Sequence, residues 1–254
     1  MIEEKALAYV NMYGVLGSLE NLCELDAEAR AVLAEFEEPA ALCFAVAGGP
    51  TCTFTFSADG CTMSEGSDGA TMKMAFASPK LFNKLIESSI PGVAVKHPAA
   101  TLKFLMGPFS RLTDRLNDVL RPTPEALQDR AFYEENTLMT LYVIAGAVSA
   151  LANYDSISRI SAGNTVDGQI EMSIADAAAI TIEVKDHVFT TKKAPADNPR
   201  ATMQFADIEL AHDLFEGTAS ALNEMCKGRI VMAGMVSMVD NVNRILDRVS
   251  DYLA

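Results

Sequence analysis

Apolar and polar residues alternate along several short stretches of the chain, and these stretches occur in similar pairs. Thr53–Asp59 and Thr181–His187 lie 128 positions apart, and Ala70–Phe76 and Ala201–Asp207 lie 131 positions apart. Alternation with a period of two residues is typical of a β-strand with one buried face. The pattern therefore predicts antiparallel strands in the same order in each half of the chain.

Turn signals follow the first strand of each pair. Asp59-Gly60 strongly favours a hairpin turn, and Asp186-His187 is a weaker signal at the matching place. The alternation resumes at Cys61–Ser64 and at Val188–Thr191, which we predict to be the returning strands.

Helical spacing of apolar residues surrounds these strands. Leu16–Leu19 and Ala145–Val148 lie 129 positions apart in helices that open each half. Ser78 and Asp207 are typical N-caps for helices after the strands, and Gly217 is a typical C-cap. Closing helices are predicted from these apolar positions: Leu112, Leu116, Val119 and Leu120, and Val239, Val242, Ile245, Leu246 and Val249.

A repeat near 128 residues indicates a duplicated domain, because solenoid repeats are much shorter. Gly107 and Gly234 lie 127 positions apart, so the spacing falls by four after the strands. We interpret this as an insertion in the first copy within Ser88–Pro98. The predicted domains are residues 1–121 and 129–254, joined by a proline-containing linker at 122–128.

Composition narrows the classes of function. The 254 residues include 34 acidic and 20 basic side chains, a formal net charge of −14, which argues against binding nucleic acid or anionic membranes. The N-terminus does not resemble a secretion signal, and the longest apolar run, Leu138–Leu151, is short for a membrane span. We expect a soluble, cytoplasmic protein without stable membrane insertion.

The residues that could carry chemistry form no catalytic motif. Cys43, Cys52 and Cys61 are nine residues apart on predicted strands, where they would either approach one another and bind a soft metal or be buried in the core. The histidines, at 97, 187 and 212, fall in a loop, a turn and a helix, as expected of surface or capping residues. The acidic pairs, including Glu134-Glu135, are interpreted as solvated. We therefore expect no catalytic residue, metal or cofactor, and no enzyme activity.

One stretch of the second half resembles a known family. Arg200–Phe205 is an alternating strand, Leu214–Gly217 ends a helix at a glycine, and Gly228–Gly234 fits a pattern of Gly-Lys-hydrophobic-x-hydrophobic-x-Gly with Arg229 for lysine. This order is similar to that of the sterol carrier protein 2 (SCP2) domain. In the first half, Thr101–Gly107 lacks the leading glycine.

The resemblance implies an α+β fold of two tandem SCP2-like domains, each a curved antiparallel sheet covered by helices on one face. It also implies an apolar tunnel for a fatty acid, an acyl-CoA or a sterol-like lipid between sheet and helices. The corresponding wall residues are, in the second copy, Met203, Phe205, Leu214, Phe215, Met225, Ile230, Met232, Met235, Met238 and Val242, and, in the first, Met72, Met74, Phe76, Phe82, Leu85, Leu105, Met106, Leu112 and Leu116.

These side chains would either line a pocket or simply pack against one another. The leading hypothesis is a non-catalytic binding or carrier protein for a lipid or other apolar small molecule. The alternatives are a structural or interaction protein with collapsed pockets and an accessory subunit of an enzyme. If one pocket is open, we predict the second, with the two copies packed together; the oligomeric state stays undecided.

Overall fold

The computed structural model describes residues 2–88 and 99–253. The chain divides into two compact units, Met1–Glu135 and Asn136–Ala254. Each unit has one β-sheet with helices, so the predicted α+β class is confirmed. The predicted domain boundaries, at 121 and 129, stay a prediction.

Unit 1 is mainly helical at both ends and has four strands between them. The opening helical run begins as α1, passes through a π-helical turn at Val10–Val15 and a 3-10 turn at Leu16–Ser18, and continues as α2. The other π-helical turn, Leu105–Phe109, joins α5 to α6. The bounds are α1 Glu4–Tyr9, α2 Leu19–Leu25, α3 Ala27–Leu33, β1 Ala40–Val46, β2 Thr51–Ser57, β3 Gly60–Glu65, β4 Met72–Phe76, α4 Pro79–Ser88, α5 Ala99–Phe104 and α6 Ser110–Leu120.

Unit 2 follows a 3-10 turn at Ala126–Gln128 and the helix α7, which runs across the division between the units. It has five strands and a long closing helix. The bounds are α7 Arg130–Tyr154, α8 Ser158–Gly163, β5 Gly168–Ile174, β6 Ala178–Lys185, β7 Val188–Lys192, β8 Pro199–Phe205, α9 Ile208–Phe215, α10 Ala221–Cys226, β9 Ile230–Gly234 and α11 Val236–Leu253.

The two sheets share the order of their first four strands. The order is β3-β2-β1-β4 in unit 1 and β7-β6-β5-β8 in unit 2, where β9 continues the sheet beyond β8. The first three strands of each sheet pair antiparallel, as expected. However, β4 pairs parallel with β1, and β8 pairs parallel with β5, so the sheets are mixed rather than wholly antiparallel. Alternation of apolar residues is the same in both pairings and could not distinguish them.

A short connection across one face of each sheet explains the parallel pairing. In unit 1 the chain passes from β3 to β4 over the face opposite Phe54, where the Thr53 hydroxyl donates to the Gly66 carbonyl at 2.9 Å. In unit 2 the Thr181 hydroxyl donates to the Ala194 carbonyl at 2.8 Å, so threonines 128 positions apart make the same bond. Because the connection occupies this outer face, the helices cover the other face.

The fourth strands correspond at a spacing different from the predicted one. Phe76 lies opposite Val46 in unit 1, and Phe205 lies opposite Ile174 in unit 2, which sets the spacing at 129. The predicted spacing of 131 was therefore wrong by two residues, because an alternating strand matches itself when shifted by one period. The inferred four-residue insertion depended on that spacing, and residues 89–98 lie outside the described part of the chain.

Where unit 2 has its fifth strand, unit 1 has a helix at the matching place in the sequence. Leu102 and Phe104 lie in α5, and Leu105 lies in the π-helical turn, so the predicted match of Gly107 with Gly234 is wrong. In unit 2, Gly228 (φ +73°) turns the chain into β9 and Gly234 (φ +83°) ends it. A Cβ at position 234 would lie 2.2 Å from the Arg200 carbonyl oxygen, so only glycine allows this approach.

Several local predictions are confirmed. The Asp207 carboxylate accepts from the Leu210 amide at 2.8 Å, and the Ser78 hydroxyl accepts from the Leu81 amide at 3.4 Å, as N-caps do. Asp186 and His187 both have positive φ, 51° and 62°, which the two-residue turn between β6 and β7 requires. The apolar stripes of the closing helices α6 and α11 are largely buried.

Within the described residues, one helix is long and apolar enough to cross a membrane by length and composition. This is α7, with a mean hydropathy of 1.4 over the most apolar window and 56% of that window buried. The central helix of a folded domain meets the same criteria.

Candidate functional site

Phenylalanine rings fill the space between sheet and helices in unit 1. Phe44 on β1 is 2% exposed and contacts Phe54, Phe82 and Phe109, with ring centroids 5.8, 6.3 and 5.9 Å apart. The cluster continues through Phe56, Phe76 and Phe104. Edge-to-face and tilted contacts of this kind are the favourable geometry for aromatic rings, so the cluster is a packed core.

Four of the nine predicted wall residues of unit 1 are buried in its core. Phe76, Phe82, Leu112 and Leu116 are buried, and Met106 is 79% exposed, outside it. The remaining predicted residues are half-buried: Met72, Met74, Leu85 and Leu105.

Unit 2 has smaller side chains at the matching sheet positions. The registers place Met172, Ile182 and Val184 where unit 1 has Phe44, Phe54 and Phe56. On the helix after the fourth strand, Ala211 stands where unit 1 has Phe82. The interior of unit 2 is therefore aliphatic at these positions, although Phe189 and Phe205 are also buried in it.

The predicted wall residues of unit 2 divide into a buried and an accessible group. Met203, Phe205, Ile230, Met238 and Val242 are at most 5% exposed. Leu214, Phe215 and Met232 are half-buried, and Met225 and Met235 are each 39% exposed.

Accessible apolar side chains gather around β9, on elements that contact one another. Phe215 contacts Phe205 edge-on at 6.1 Å, which places the end of α9 against β8. Met232 pairs with Met203 and so faces the helices, whereas Val231 pairs with Gln204 on the outer face. We call the accessible apolar residues of these elements, without Val231, the β9 surface: Leu214, Phe215, Leu222, Met225, Met232, Met235 and Val236, of which Leu222 and Val236 are 69% and 79% exposed.

Four charged side chains border the β9 surface. Arg229 donates to both carboxylate oxygens of Asp207 at 3.1 Å and to Glu224 at 3.2 Å, and Lys227 donates to Glu224 at 2.7 Å. The amide of Leu210 and then Arg229 hold the pKa of Asp207 below its usual value, and Lys227 followed by Arg229 does so for Glu224. The group therefore stays ionised and internally paired.

Each unit also has a buried aspartate that caps a short helix and binds an arginine of the closing helix. Asp26 accepts from the Ala29 amide and from Arg115 at 2.8 Å. Asp155, 129 positions later, accepts from the Ser158 amide at 2.8 Å and from Arg248 at 3.3 Å. These contacts join the ends of each unit and are structural.

Glu135 was interpreted as solvated, but it is half-buried beside the first of these pairs. Its Oε1 atom is buried and has no hydrogen-bond partner among the described residues. Burial, and after it the charge of Asp26, raise the pKa of Glu135 to about 7. No sequence pattern indicates this, because the contacts come from α3 and α6.

The cysteines and histidines do not converge. Cys52 lies opposite Glu65 and Cys61 opposite Phe56, which separates the two thiols by four residues along β2. Both are buried, and burial raises the pKa of Cys52 to about 11, so its thiol is unreactive at neutral pH. His212 is 9% exposed beside Thr137, in contrast to the expected surface position. Within residues 2–88 and 99–253, no group of three or more His, Cys, Asp and Glu could hold a metal ion.

Comparison with known proteins gave matches to solved structures only. No family model matches the chain, and no curated protein matches it. One similar structure is a UbiJ-SCP2 ubiquinone synthesis protein, with 9% sequence identity and a TM-score of 0.35 over 44% of this chain and 96% of that chain. Another is sterol carrier protein 2 like 2 from Aedes aegypti, with 12% identity and a TM-score of 0.30 over 41% of this chain and 94% of that chain. A third is apo sterol carrier protein 2 from Yarrowia lipolytica, with 15% identity and a TM-score of 0.30 over 39% of this chain and 91% of that chain. At these TM-scores the likeness does not by itself establish a common fold.

Sequence reasoning missed the difference between the two interiors, although the chain carries a signal of it. Nine of the 12 phenylalanines precede residue 136. The wall that the resemblance implies takes its strand residues from β4, β8 and β9 and none from β1 or β2, so it leaves out Phe44, Phe54 and Phe56.

Proposed function

We propose that unit 2 binds an apolar, chain-like small molecule such as a lipid on the β9 surface, as a carrier without a chemical step. The observation that carries this is the contrast between the units: phenylalanine rings pack between sheet and helices in unit 1, whereas unit 2 has smaller side chains at the matching positions and exposes Leu222, Met225, Met235 and Val236 on the elements around β9. Contiguous exposed apolar residues commonly mark binding sites.

The expected strength of binding suits a carrier. Burial of about 12 methylenes would contribute roughly 10 kcal/mol at about 0.8 kcal/mol each. Association and ordering cost several kcal/mol or more, which leaves affinities near the micromolar range. A carrier needs such affinities to release its cargo.

We also propose that the two units arose by duplication and have since diverged in role. The shared order of four strands, the matching bonds of Thr53 and Thr181, and the matching capping aspartates at positions 26 and 155 support this. Unit 1, with its filled interior, would then serve as a structural or interaction domain.

Two neighbouring residues on β9 provide the test. Displacement of a neutral fluorescent lipid from the purified protein would be measured for Met232→Glu, on the helix side, and for Val231→Glu, on the outer face of the same strand. We expect Met232→Glu to weaken binding at least tenfold and Val231→Glu to leave it nearly unchanged. Equal effects, or no binding by the unaltered protein, would refute the proposal.

A further inference from the structure

A group of four paired charged side chains stands at one end of the β9 surface, where it would meet the polar end of a ligand. Asp207 begins α9, Glu224 lies near the end of α10, and Lys227 and Arg229 lead into β9. The Ala206 amide donates to the Arg229 carbonyl at 2.9 Å, directly beside Phe205. Met225 and Ile230 follow Glu224 and Arg229 in sequence, so charge and apolar surface meet here.

The two cations of this group are already paired within the protein. The guanidinium of Arg229 spans Asp207 and Glu224, and Lys227 binds the second oxygen of Glu224. Two acids and two bases leave the group with no net charge. An incoming carboxylate would have to share these cations with the two acids that already neutralise them, and it would lie next to both.

Another cation on β8 does not alter this balance. Arg200 lies at the opposite end of the strand, where its carbonyl accepts from the Met235 amide at 2.8 Å and its side chain packs against Gly168 of β5, so the length of β8 separates it from this charged group. The chain as a whole carries a formal charge of −14, which further disfavours an anionic ligand.

We infer that the site selects uncharged lipids, with a hydroxyl or similar neutral polar end, over carboxylates of the same chain length. This rests on the proposed lipid-binding function of unit 2. A hydroxyl can donate to Asp207 or Glu224 without breaking their ion pairs, whereas a carboxylate cannot donate at neutral pH.

The test compares hexadecan-1-ol with palmitate as competitors of a neutral fluorescent lipid. We expect the alcohol to bind the unaltered protein at least about tenfold more tightly, because the carboxylate would be desolvated beside cations that Asp207 and Glu224 already neutralise. Glu224→Gln releases Lys227 and one side of Arg229, so palmitate should gain and the ratio should narrow. Glu216→Gln, an exposed acid at the end of α9, makes the same change in net charge and should leave the ratio unaltered.

The outcomes separate the two proposals. Equal or tighter binding of palmitate by the unaltered protein would overturn this selectivity while retaining lipid binding. An unchanged ratio in a folded Glu224→Gln protein would also overturn it. If neither compound displaces the probe, the proposed function itself fails. The ratio for the unaltered protein decides the matter even if the variant does not fold.

Discussion

Replacement of Asp155 by asparagine should strongly destabilise unit 2. Asp155 has no exposed surface, and its carboxylate accepts from the Tyr252 hydroxyl at 2.7 Å, from the amide and hydroxyl of Ser158 at 2.8 Å each, and from Arg248 at 3.3 Å. An amide has one acceptor oxygen and adds donors where donors already converge. Arg248, with its side chain 14% exposed, would lose its buried counter-charge.

The magnitude follows from breaking a buried ion pair on one side. Such changes cost about 3–5 kcal/mol when the remaining charge is left without compensation. Arg248 keeps its exposed partner Asp251, so we expect a loss near the lower end of this range. A domain is typically stable by about 5–15 kcal/mol, so Asp155→Asn would remove a large part of the free energy of unfolding. Urea unfolding followed by far-UV circular dichroism measures this directly.

Asp251 offers a matched control, because it binds the same Arg248 from an exposed position. Its side chain is 56% exposed, and exposed pairs contribute about 0–1 kcal/mol. Asp251→Asn should therefore have a small effect. If the two variants lose equal stability, burial of the Asp155 pair is not the determining factor, and the reasoning is refuted.

The pH dependence of the same pair has a defined sign. Burial would raise the pKa of Asp155, but hydrogen bonds from Tyr252, Ser158 and Arg248 outweigh it and lower the pKa. The stabilisation is therefore fully present above the unfolded value near 3.9 and is lost as the pH falls toward the lower folded value. In Asp155→Asn, this part of the acid-induced loss of stability should be absent.

Three further predictions concern the strand end, the ring core and the half-buried acid. Gly234→Ala should lower the free energy of unfolding by at least about 2 kcal/mol in thermal unfolding, because its φ is +83° and the new Cβ would meet the Arg200 carbonyl. Gly217→Ala, at φ +69° in open space, should cost about 1 kcal/mol. Equal losses would contradict the steric argument. Phe44→Ala should lower the free energy of unfolding in urea by about 3–5 kcal/mol. Val231→Ala, at a residue that is 51% exposed, should lower it by less than about 0.5 kcal/mol. A small loss for Phe44→Ala would mean that the ring cluster is loosely packed. The pKa of Glu135 is raised in the folded state to about 7, so stability should fall as the pH rises from about 4.5 to 7. Glu135→Gln should remove this decrease of the melting temperature with pH, whereas Glu134→Gln should not. A decrease that persists in Glu135→Gln would refute the assignment.

Local features of the fold could be predicted because their causes are local. An aspartate before a helix caps it whatever surrounds it, which is why Asp207 was identified as an N-cap, and Asp186-His187 was identified as a turn from two residues. Strand alternation reveals a buried face in the same way. The repeat of these signals was enough to predict two similar sets of strands.

Features that depend on distant parts of the chain could not be predicted. The direction of β4 depends on the connection across the outer face, and alternation carries no information about it. The pairing of Asp155 with Arg248 joins residues 93 positions apart. For the candidate site, residue types predicted an apolar wall in both units. Only the packing shows that phenylalanine rings fill the interior of unit 1 and that Met225, Met232 and Met235 stay accessible in unit 2.

The short connection across the outer face has a consequence for the order of folding. The hairpins β1–β2–β3 and β5–β6–β7 pair residues close in sequence, whereas Leu42 meets Met72 and Ile170 meets Ala201 only after the chain has crossed the finished hairpins. Contacts of greater sequence separation form more slowly, so β4 and β8 should join late, and β9, which pairs only with β8, cannot join the sheet before β8 does. The strand that carries the candidate site is then the part of unit 2 that opens most readily, and a bound lipid should slow hydrogen exchange most at the amides of β9.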